Sequence, residues 1–439
     1  MAKKLWDKGL PLDEKIEAFT IGRDNEWDLR LAPYDVQGSI AHVKMLAKVG
    51  LLSEQECDTL VFELTRILDE DIKTGQFQIS KGVEDIHSQI ELMLTEKLGD
   101  LGKKIHAGRS RNDQVLLDLK LYFRDELYSI AKQVRELFKA LLAQSETHKE
   151  VLMPGYTHTQ AAMPSSFGLW FAAYAEALVD DIQQLHASYE LVNQNPLGSA
   201  AGYGSSFPLD RDYTTELLEF NGMNVNVVYA QMGRGKVEQS ISFSLAALGQ
   251  TINKLSSDIC LFNSGNFAFI TLPDELTTGS SIMPHKKNPD VFELMRAKSA
   301  VLRALPASIA QLNGNLTSGY HRDFQLLKDL IFPALDEVKA MLDMCIYAMP
   351  KIKPVANLLD HSQYDVLFSV ERVNELVMSG LSFRDAYIQV GKELSNGSFA
   401  PPKDLNHRLV GSLGNLGNER IAKKMNVLMQ SFDGKVSLS

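Results

Sequence analysis

One uninterrupted segment decides the fold, and it reads RNDQVLLDLKLYFRDELYSIAKQVRELFKALLAQSETHK over residues 111–149. No glycine or proline occurs between Gly108 and Pro154. At about 1.5 Å per residue, a helix through this window is predicted to run roughly 60 Å, which is far longer than an ordinary globular-domain helix. The prediction rests on apolar residues spaced three and four apart, as on one buried helix stripe: Leu116, Leu119, Phe123, Leu127, Ile130, Val134, Leu137 and Leu141.

Similar spacing returns in later segments, which together predict a bundle of five long helices. Large apolar residues lie off these stripes, at Trp170, Phe171 and Phe243. They leave more surface to bury than one bundle covers, so we expect several chains to associate. The alternative, a helical domain with its own core and no oligomer, stays open. The later segments run over 174–192, 241–262, 292–312 with an interruption at Pro306, and 335–345.

The chain is predicted to be all-α and to form three domains. One core rarely grows past about 250–300 residues, and this chain has 439. We place an N-terminal helical domain at residues 1–107, the long-helix bundle at 108–355 and a C-terminal helical domain at 356–439. Alternating strand patterns are scarce. FITL at 269–272 and NVNVVY at 224–229 are predicted as minor short strands.

The composition argues against several function classes. The formal net charge is −10, which disfavours nucleic-acid binding through the general surface. No apolar run approaches the roughly 20 residues that cross a bilayer, and residues 1–15 lack the apolar region of a secretory signal. The three cysteines, Cys57, Cys260 and Cys345, are odd in number and widely spaced. We therefore expect no disulfide framework and a cytoplasmic location.

The sequence holds no motif for a common cofactor or metal. GxxxxGK[ST] is missing, and GSLGNLG at 411–417 has the wrong glycine spacing for a dinucleotide turn. Neither HExxH nor a CxxC pair occurs. We expect no cofactor and no metal ion.

The loop KIHAGRSRNDQV at residues 104–115 precedes the longest predicted helix. Asn112 or Asp113 is predicted to cap that helix. Arg109 and Arg111 then lie just before a helix N-terminus, where free backbone N–H groups also favour anions. A solvated loop with a good cap is the alternative.

Two further loops join predicted helices. MPGYTHTQAAMPSSFG at residues 153–168 holds His158 among hydrogen-bonding side chains, and a titrating imidazole can pass protons near neutral pH. NQNPLGSAAGYGSSFPLDRD at 193–212 allows close backbone approach through its small residues. For the second loop, packing is favoured over catalysis.

The segment TTGSSIMPHKKNPDVFEL at residues 277–294 is the strongest candidate for chemistry. Asn288 and Pro289 read as the cap and first residue of a helix. Lys286 and Lys287 immediately precede that start, so two ammonium groups and a positive dipole end suit a carboxylate or phosphate. The Gly-Ser-Ser upstream can move and close over an anion. A lysine-rich surface turn is the alternative.

GSSIMPHKKNP at 279–289 resembles the loop GSSxMPxKxNP of the fumarase/aspartase superfamily, whose enzymes release fumarate from succinyl-bearing substrates. The resemblance covers most of residues 20–330. It implies three mostly helical domains, a homotetramer around a twenty-helix core, and active sites assembled from three subunits. Further stretches resemble the argininosuccinate lyase branch of that superfamily: VEDIH at 83–87, TEKLGDLGKKIHAGRSRNDQV at 95–115, GYTHTQ at 155–160, NPLGSAAGYGSSFPLDR at 195–211 and GYHRDFQLLKD at 319–329.

The resemblance implies cleavage of argininosuccinate to arginine and fumarate. Ser280 is the implied base, and it needs the charge of Lys286 and loop N–H groups to ionise usefully. His158 is implied to move a proton on the leaving-group side, while His87 and Glu293 are implied to orient these groups. The implied substrate-binding residues are Ser110, Arg111, Asn112, Thr157, Asn288, Tyr320, Gln325 and Lys328, together with His87.

Three departures from the family pattern affect the amino-acid end of the ligand more than the fumarate end. The N-terminal ligand loop, usually N-x-S, reads AFTIGRDN here, with Asp24 or Arg23 nearest the missing serine. His285 stands where glutamine is common before the lysine pair. The family's Arg-Asp pair becomes GRGK around Arg234.

Two other functions remain open alternatives. One is a related lyase that releases fumarate from another N-succinyl compound. The other is a non-enzymatic structural tetramer of the crystallin type. Retention of Ser280, His158 and Lys286 favours an enzyme, because a purely structural protein has no need of them.

Overall fold

The N-terminal part of the chain is a group of helices. The structure, a computed structural model, describes residues 14–403, 405 and 407–433. Residues 1–13, most of the stretch for which the sequence predicts no secretory signal, lie outside the described residues. The first helices are α1 (Glu14–Ile21), α2 (Asp24–Lys48), α3 (Glu54–Arg66), which continues into a π-helical turn at Ile67–Ile72, α4 (Ile86–Leu98) and α5 (Asp100–Lys103).

The central part contains all five predicted long helices. The first of them spans 37 residues, or about 55 Å, and the apolar stripe that predicts it is buried along its length. Two short helices lie between the second and third long ones. In chain order the central helices are α6 (Arg111–Thr147), α7 (Phe167–Val192), α8 (Arg211–Leu217), α9 (Val227–Met232), α10 (Lys236–Asn263), α11 (Asp290–Asn313) and α12 (Leu326–Ala348).

These long helices pack side by side into a bundle. α6 packs on α7 and α12, while α10 packs on α7 and α11. The predicted interruption at Pro306 is wrong, because α11 continues through that residue along its contact with α10. Tertiary packing outweighs the local cost of a proline inside a helix here.

The apolar residues that lie off the stripes have different environments. Phe171 is fully buried and Trp170 is half-buried, packed on Phe171 and Phe262 within the same chain. That part of the argument for association is therefore wrong. Phe243 on α10 is 58 % exposed, as expected for a residue that one chain leaves uncovered.

Strands are few among the described residues and form three two-stranded sheets. The strand predicted at FITL is confirmed at its two central residues. The strand predicted at NVNVVY is wrong, because Asn226 caps helix α9 by accepting the N–H groups of Val228 and Tyr229. The sheets pair β1 (Leu152–Thr157) antiparallel with β2 (Gln160–Ser166), β3 (Gln194–Asn195) parallel with β4 (Gly222–Met223), and β5 (Ile270–Thr271) antiparallel with β6 (Lys353–Pro354).

The C-terminal part adds α13 (Ser369–Met378), α14 (Phe383–Ser395) and α15 (Asn418–Asp433). The first two pack on each other, and α15 packs back on α6 and α7. The predicted domain boundaries at residues 107/108 and 355/356 stay predictions. Among the helices described, none has the length and apolar character needed to cross a membrane.

Candidate active site

A cleft of about 160 Å³ lies where five segments of the chain meet, and we call it the polar cleft. The segments are the turn from α1 into α2, the loop before α4, the start of α6, the turn before α10 and the entry to α12. Its walls carry equal numbers of opposite charges, so it can hold a ligand that has both carboxylates and a guanidinium. The charged residues are Asp24, Asp28, Glu84, Asp85, Arg111, Arg234, Arg322 and Lys328.

A capping box sets the orientation of the first turn of α6. Ser110 is the N-cap and accepts the N–H of Asn112 at 3.3 Å. Asp113 completes the box by accepting the N–H of Ser110 at 2.9 Å. The predicted caps, Asn112 or Asp113, are therefore wrong, because Ser110 has the extended backbone that a cap requires. This leaves the side chains of Arg111 and Asn112 on the wall of the cleft.

Arg111 is held by acidic neighbours on the loop before α4. Its guanidinium donates to Glu84 at 3.0 Å and to Ser88 at 2.5 Å, and it lies 3.4 Å from Asp85. Arg109 differs, since it is partly buried, is not among the residues that line the cleft, and donates to Ser39 at 2.9 Å. Of the two arginines predicted to favour an anion, Arg111 therefore lines the cleft.

Lys328 sits between two carboxylates at the bottom of the cleft. Its Nζ lies 2.5 Å from Asp24 and 2.7 Å from Asp28. Burial lowers the pKa of Lys328, but the two carboxylates outweigh burial and leave that pKa above its usual value. Burial raises the pKa of Asp24 despite the opposing charge of Lys328. Lys328 thus stays an ammonium group in a site shielded from water.

Asp24 and Arg23 are the two candidates for the position of the family's ligand serine, and the structure distinguishes between them. Asp24 lines the cleft, whereas Arg23 pairs with Glu26 at 3.0 Å and lies over the ring of Trp27. Gln325 ties this region to α12, because its Nε2 donates to the carbonyls of Thr20 and Ile21 at 3.0 and 2.9 Å.

The predicted catalytic loop is a separate feature within one chain. Thr278 and Asn288 exchange both backbone hydrogen bonds, at 3.1 and 2.8 Å, and so close the base of the loop. Ser280 lies within it and accepts the N–H of Met283 at 3.1 Å. Helix α11 begins at Asp290 with Pro289 as its N-cap, one residue later than predicted.

The two lysines of this loop have different environments. Lys287 pairs with Asp274. Lys286 is exposed, and in the part of the chain that the structure describes its ammonium group has no partner. Lys286 is therefore the lysine that is free to meet a ligand. Glu293 lies in the first turn of α11 and is also exposed.

His158 occupies the tip of the β1–β2 hairpin. Thr157 pairs with Gln160, so His158 and Thr159 form a two-residue turn. Their φ angles are 52° and 61°, the left-handed conformation that such tight hairpin turns require and that non-glycine residues rarely adopt. The tip is exposed and projects His158 into solvent.

Within one chain the predicted site residues thus form separate groups. Arg111, Asn112, Tyr320, Gln325 and Lys328 line the polar cleft. Ser110 supports it as a cap. The residues that do not line it are Thr157, His158, Ser280, Lys286, Asn288 and Glu293, on the hairpin tip and the 277–294 segment, and His87, which is buried.

His87 lies in a buried ion cluster under the cleft. Its Nδ1 is 2.8 Å from Asp35 and 3.6 Å from Asp118. Burial lowers the pKa of His87, but the carboxyl groups raise it to about 10 overall. Ligand atoms of these residues lie within 4.8 Å of one another, close enough for a metal ion. The protonated His87 already compensates Asp35, and burial raises the pKa of Asp118 well above its usual value, so the cluster fits an ion network better than a metal.

Sequence reasoning missed Asp118, and it named Asp113 only as a candidate cap. Asp113 accepts the N–H groups of Gly198 and Ala200 at 3.0 and 2.8 Å, and so fixes the 193–212 loop to α6. This supports the packing interpretation of that loop. Asp118 is fully buried, and this burial together with the nearby charge of Asp35 raises the pKa of its carboxyl group. The available signal was an acid between two apolar residues inside a long amphipathic helix.

Comparisons with known proteins agree with this fold. A family model described as Lyase matches residues 11–303. In fold, the chain is similar to EDDS lyase in complex with formate, with a TM-score of 0.77 and 21% identity, covering 96% of this chain and 90% of that one. It is also similar to a fumarate lyase:delta crystallin from Brucella melitensis, with a TM-score of 0.71 and 18% identity, covering 92% and 91%. The fold and the family model define a lyase of the fumarase/aspartase type.

Relatives that are similar in sequence identify the family within this class of lyases. Argininosuccinate lyase of Parabacteroides distasonis is 55% identical over 432 residues, which covers 98% of this chain and 97% of the relative. Argininosuccinate lyase of Thermotoga neapolitana is 41% identical over 393 residues, covering 90% and 98%. The chain belongs to the argininosuccinate lyase family, and with it to the carbon–nitrogen lyases.

Proposed function

We propose that this protein cleaves argininosuccinate to arginine and fumarate in the cytoplasm, as a step of arginine biosynthesis. The observation that carries the proposal is the convergence of Arg111, Asn112, Tyr320, Gln325 and Lys328 on one charged cleft. These residues come from distant parts of the sequence, and each matches a substrate-contacting position implied by the family motifs. The unpaired thiols of Cys57, Cys260 and Cys345 support a reducing compartment.

The polar cleft is proposed to bind the amino-acid end of the substrate. Lys328 offers an ammonium group to a carboxylate, and Asp24 and Asp28 offer carboxylates to an ammonium or guanidinium group. Because these charges are held in a partly buried site, their interactions with ligand charges are stronger than at an open surface.

The chemistry is proposed to take place at the succinyl end, between the cleft and the catalytic loop. Ser280 removes a proton from the carbon next to a carboxylate, and the electrons collect on that carboxylate as an aci-carboxylate. The bond from the neighbouring carbon to the guanidinium nitrogen then breaks, fumarate forms, and the nitrogen receives a proton by way of His158. Lys286 stabilises the doubly negative intermediate, a contribution of several kcal/mol in preorganised sites.

The complete site is proposed to require a homotetramer with a twenty-helix core. Within one chain the hairpin tip with His158 and the loop with Ser280 lie outside the polar cleft, so neighbouring chains are needed to supply them. Exposed apolar side chains on the long helices offer the contact surface. They are Phe243 and Leu261 on α10, Leu294 and Val301 on α11, and Tyr347 on α12.

An absorbance assay tests the proposal directly. The protein is mixed with argininosuccinate, and the ultraviolet absorbance of fumarate is followed, with light scattering on the same sample giving the mass of the assembly. We expect fumarate release and a tetramer. Activity on adenylosuccinate, aspartate or malate instead would reassign the substrate, and silence on all of them would favour a structural tetramer.

A further inference from the structure

A second cavity of about 290 Å³ lies at the N-terminal end of α10, and it shares no lining residue with the polar cleft. Lys120 of α6 reaches its wall with a side chain that is 2 % exposed. Lys236, the first residue of α10, lines the same cavity. Among the described residues that line it, none is acidic. The cavity is therefore positive, and nothing in the proposed reaction uses it.

The head group of Lys120 has one unused donor. Its Nζ donates to the carbonyl of Gln194 at 2.8 Å and to Oδ1 of Asn224 at 2.7 Å, and both of these residues also line the cavity. An ammonium group carries three N–H donors. The third finds no acceptor among the residues that the structure describes.

Lys120 also has no direct counter-ion. The buried Glu238 attracts it only at a distance, since that carboxylate accepts the N–H of Gly235 at 2.7 Å and lies 3.4 Å from Arg234. Burial lowers the pKa of Lys120 to about 7. A buried lysine without an ion partner is unusual, because burying an uncompensated charge is costly.

We propose that this cavity, the Lys120 cavity, binds a small organic carboxylate whose oxygen accepts the third N–H of Lys120. Lys236 and the N-terminal end of the 28-residue helix α10 add positive potential at the same wall. Leu191, Met223 and Val225 supply apolar wall, which suits a carboxylate that carries a short hydrocarbon body rather than an inorganic anion.

Calorimetric titration of the whole protein tests this, with butyrate as the probe and inorganic phosphate as the comparison. The titrations are made without arginine or fumarate, because both are organic carboxylates that would compete for the cavity, and the Lys120 and Lys236 variants assign the heat to the Lys120 cavity. We expect butyrate to bind more tightly than phosphate. Lys120→Met should weaken butyrate binding roughly tenfold or more, the loss of about one good contact. Lys236→Met should weaken it severalfold.

A matched control and a second readout complete the experiment. Lys424→Met changes an exposed lysine on the C-terminal helix α15, which pairs with Glu176 on α7. Because this lysine does not line the Lys120 cavity, the variant should leave butyrate affinity unchanged. Binding of butyrate to Lys120 at pH 8 should take up a proton, so the measured heat of binding should depend on the ionisation enthalpy of the buffer. The other titratable groups that face Lys120 are Lys236, Tyr229 and Glu238. If Lys120→Met fails to fold, the butyrate affinity of Lys236→Met and the proton uptake of the wild-type protein test whether the Lys120 cavity binds the carboxylate.

Three results would overturn the proposal. They are no butyrate binding by the wild-type protein, equal butyrate affinity in the wild-type, Lys120→Met and Lys236→Met proteins, and tighter binding of phosphate than of butyrate. None of them bears on fumarate release, so the proposed lyase activity is tested independently.

Discussion

The ammonium group of Lys328 lies 2.5 Å from Oδ1 of Asp24 on the wall of the polar cleft. Asp24 stands in the segment where the family resemblance implies a ligand serine, so under the proposed function this chain places a carboxyl group at the amino-acid end of its site. The pair links the start of α2 to α12, two elements that lie far apart in the sequence.

Replacing Asp24 by asparagine should weaken substrate binding without removing the chemistry. Lys328 would keep Asp28 as its only buried counter-ion, and the ligand would lose one charged contact, roughly 1–2 kcal/mol. We expect KM for argininosuccinate to rise about tenfold with kcat changed little, because the amino-acid end is remote from the bond that breaks. Steady-state kinetics measure both. Glu26→Gln, on an exposed neighbour, is the control; a fall in kcat at constant KM in Asp24→Asn would contradict this role.

Ser280 and Ser281 provide a matched pair of variants within one loop. Ser280→Ala should lower turnover by about 10²–10⁴-fold, the usual contribution of a positioned general base. Ser281→Ala should stay within severalfold of the wild-type protein. Both variants should keep the thermal midpoint and the assembly, because this segment is largely exposed. Loss of turnover in Ser281→Ala alone would move the base to that residue, and a large loss of stability in Ser280→Ala would mark the loop as a packing element.

The long helices could be predicted from the sequence because their signal is local. An apolar stripe at helical spacing reports one buried face, and residues 111–149 show it without a glycine or proline to interrupt it. The β1–β2 hairpin could not be predicted in this way. Its turn uses two non-glycine residues at positive φ, His158 and Thr159, where the usual Asn-Gly signal is missing.

The residues of the candidate site could be predicted from motifs, but the contacts between them could not. Motif residues such as Arg111 and Lys328 could be named from the sequence, and the structure places them on one cleft. Contacts such as Asp35 with His87 join residues 52 positions apart, and no local pattern encodes such a distance. Under the proposed assembly, Ser280 and His158 reach the cleft from neighbouring chains, so no pattern within one sequence encodes their distance from it.

Asp113 is predicted to hold two parts of the site region together. Its carboxylate accepts N–H groups from Ser110, Gly198 and Ala200, so Asp113→Ala would leave three backbone donors without a partner. We expect a loss of about 2–4 kcal/mol in stability, since each buried unpaired group costs roughly 1–3 kcal/mol and some will find water. The thermal midpoint measures this. Asp212→Ala, an exposed acid on α8, should change stability by less than about 0.5 kcal/mol; equal midpoints for the two variants would refute the bridging role.

The ion cluster around His87 predicts a pH dependence whose sign follows from its pKa. The folded pKa of about 10 lies above the unfolded value of about 6.5. The protonated imidazole therefore contributes its full stabilisation below about pH 6.5 and loses it progressively as the pH rises towards 10. His87→Gln removes the cation and leaves the buried Asp35 without its ion-pair partner, at a cost of about 3–5 kcal/mol at low pH.

Urea midpoints at a fixed protein concentration give the measurement. The gap between the wild-type protein and His87→Gln should be widest near pH 6 and should narrow steadily by pH 9, because the wild-type imidazole loses its advantage while glutamine does not titrate. His361→Gln, on an exposed histidine, should show no gap at either pH. A gap that is constant over this range, or that widens as the pH rises, would mean that His87 is held as a neutral ring, with Asp35 acting only as a hydrogen-bond acceptor.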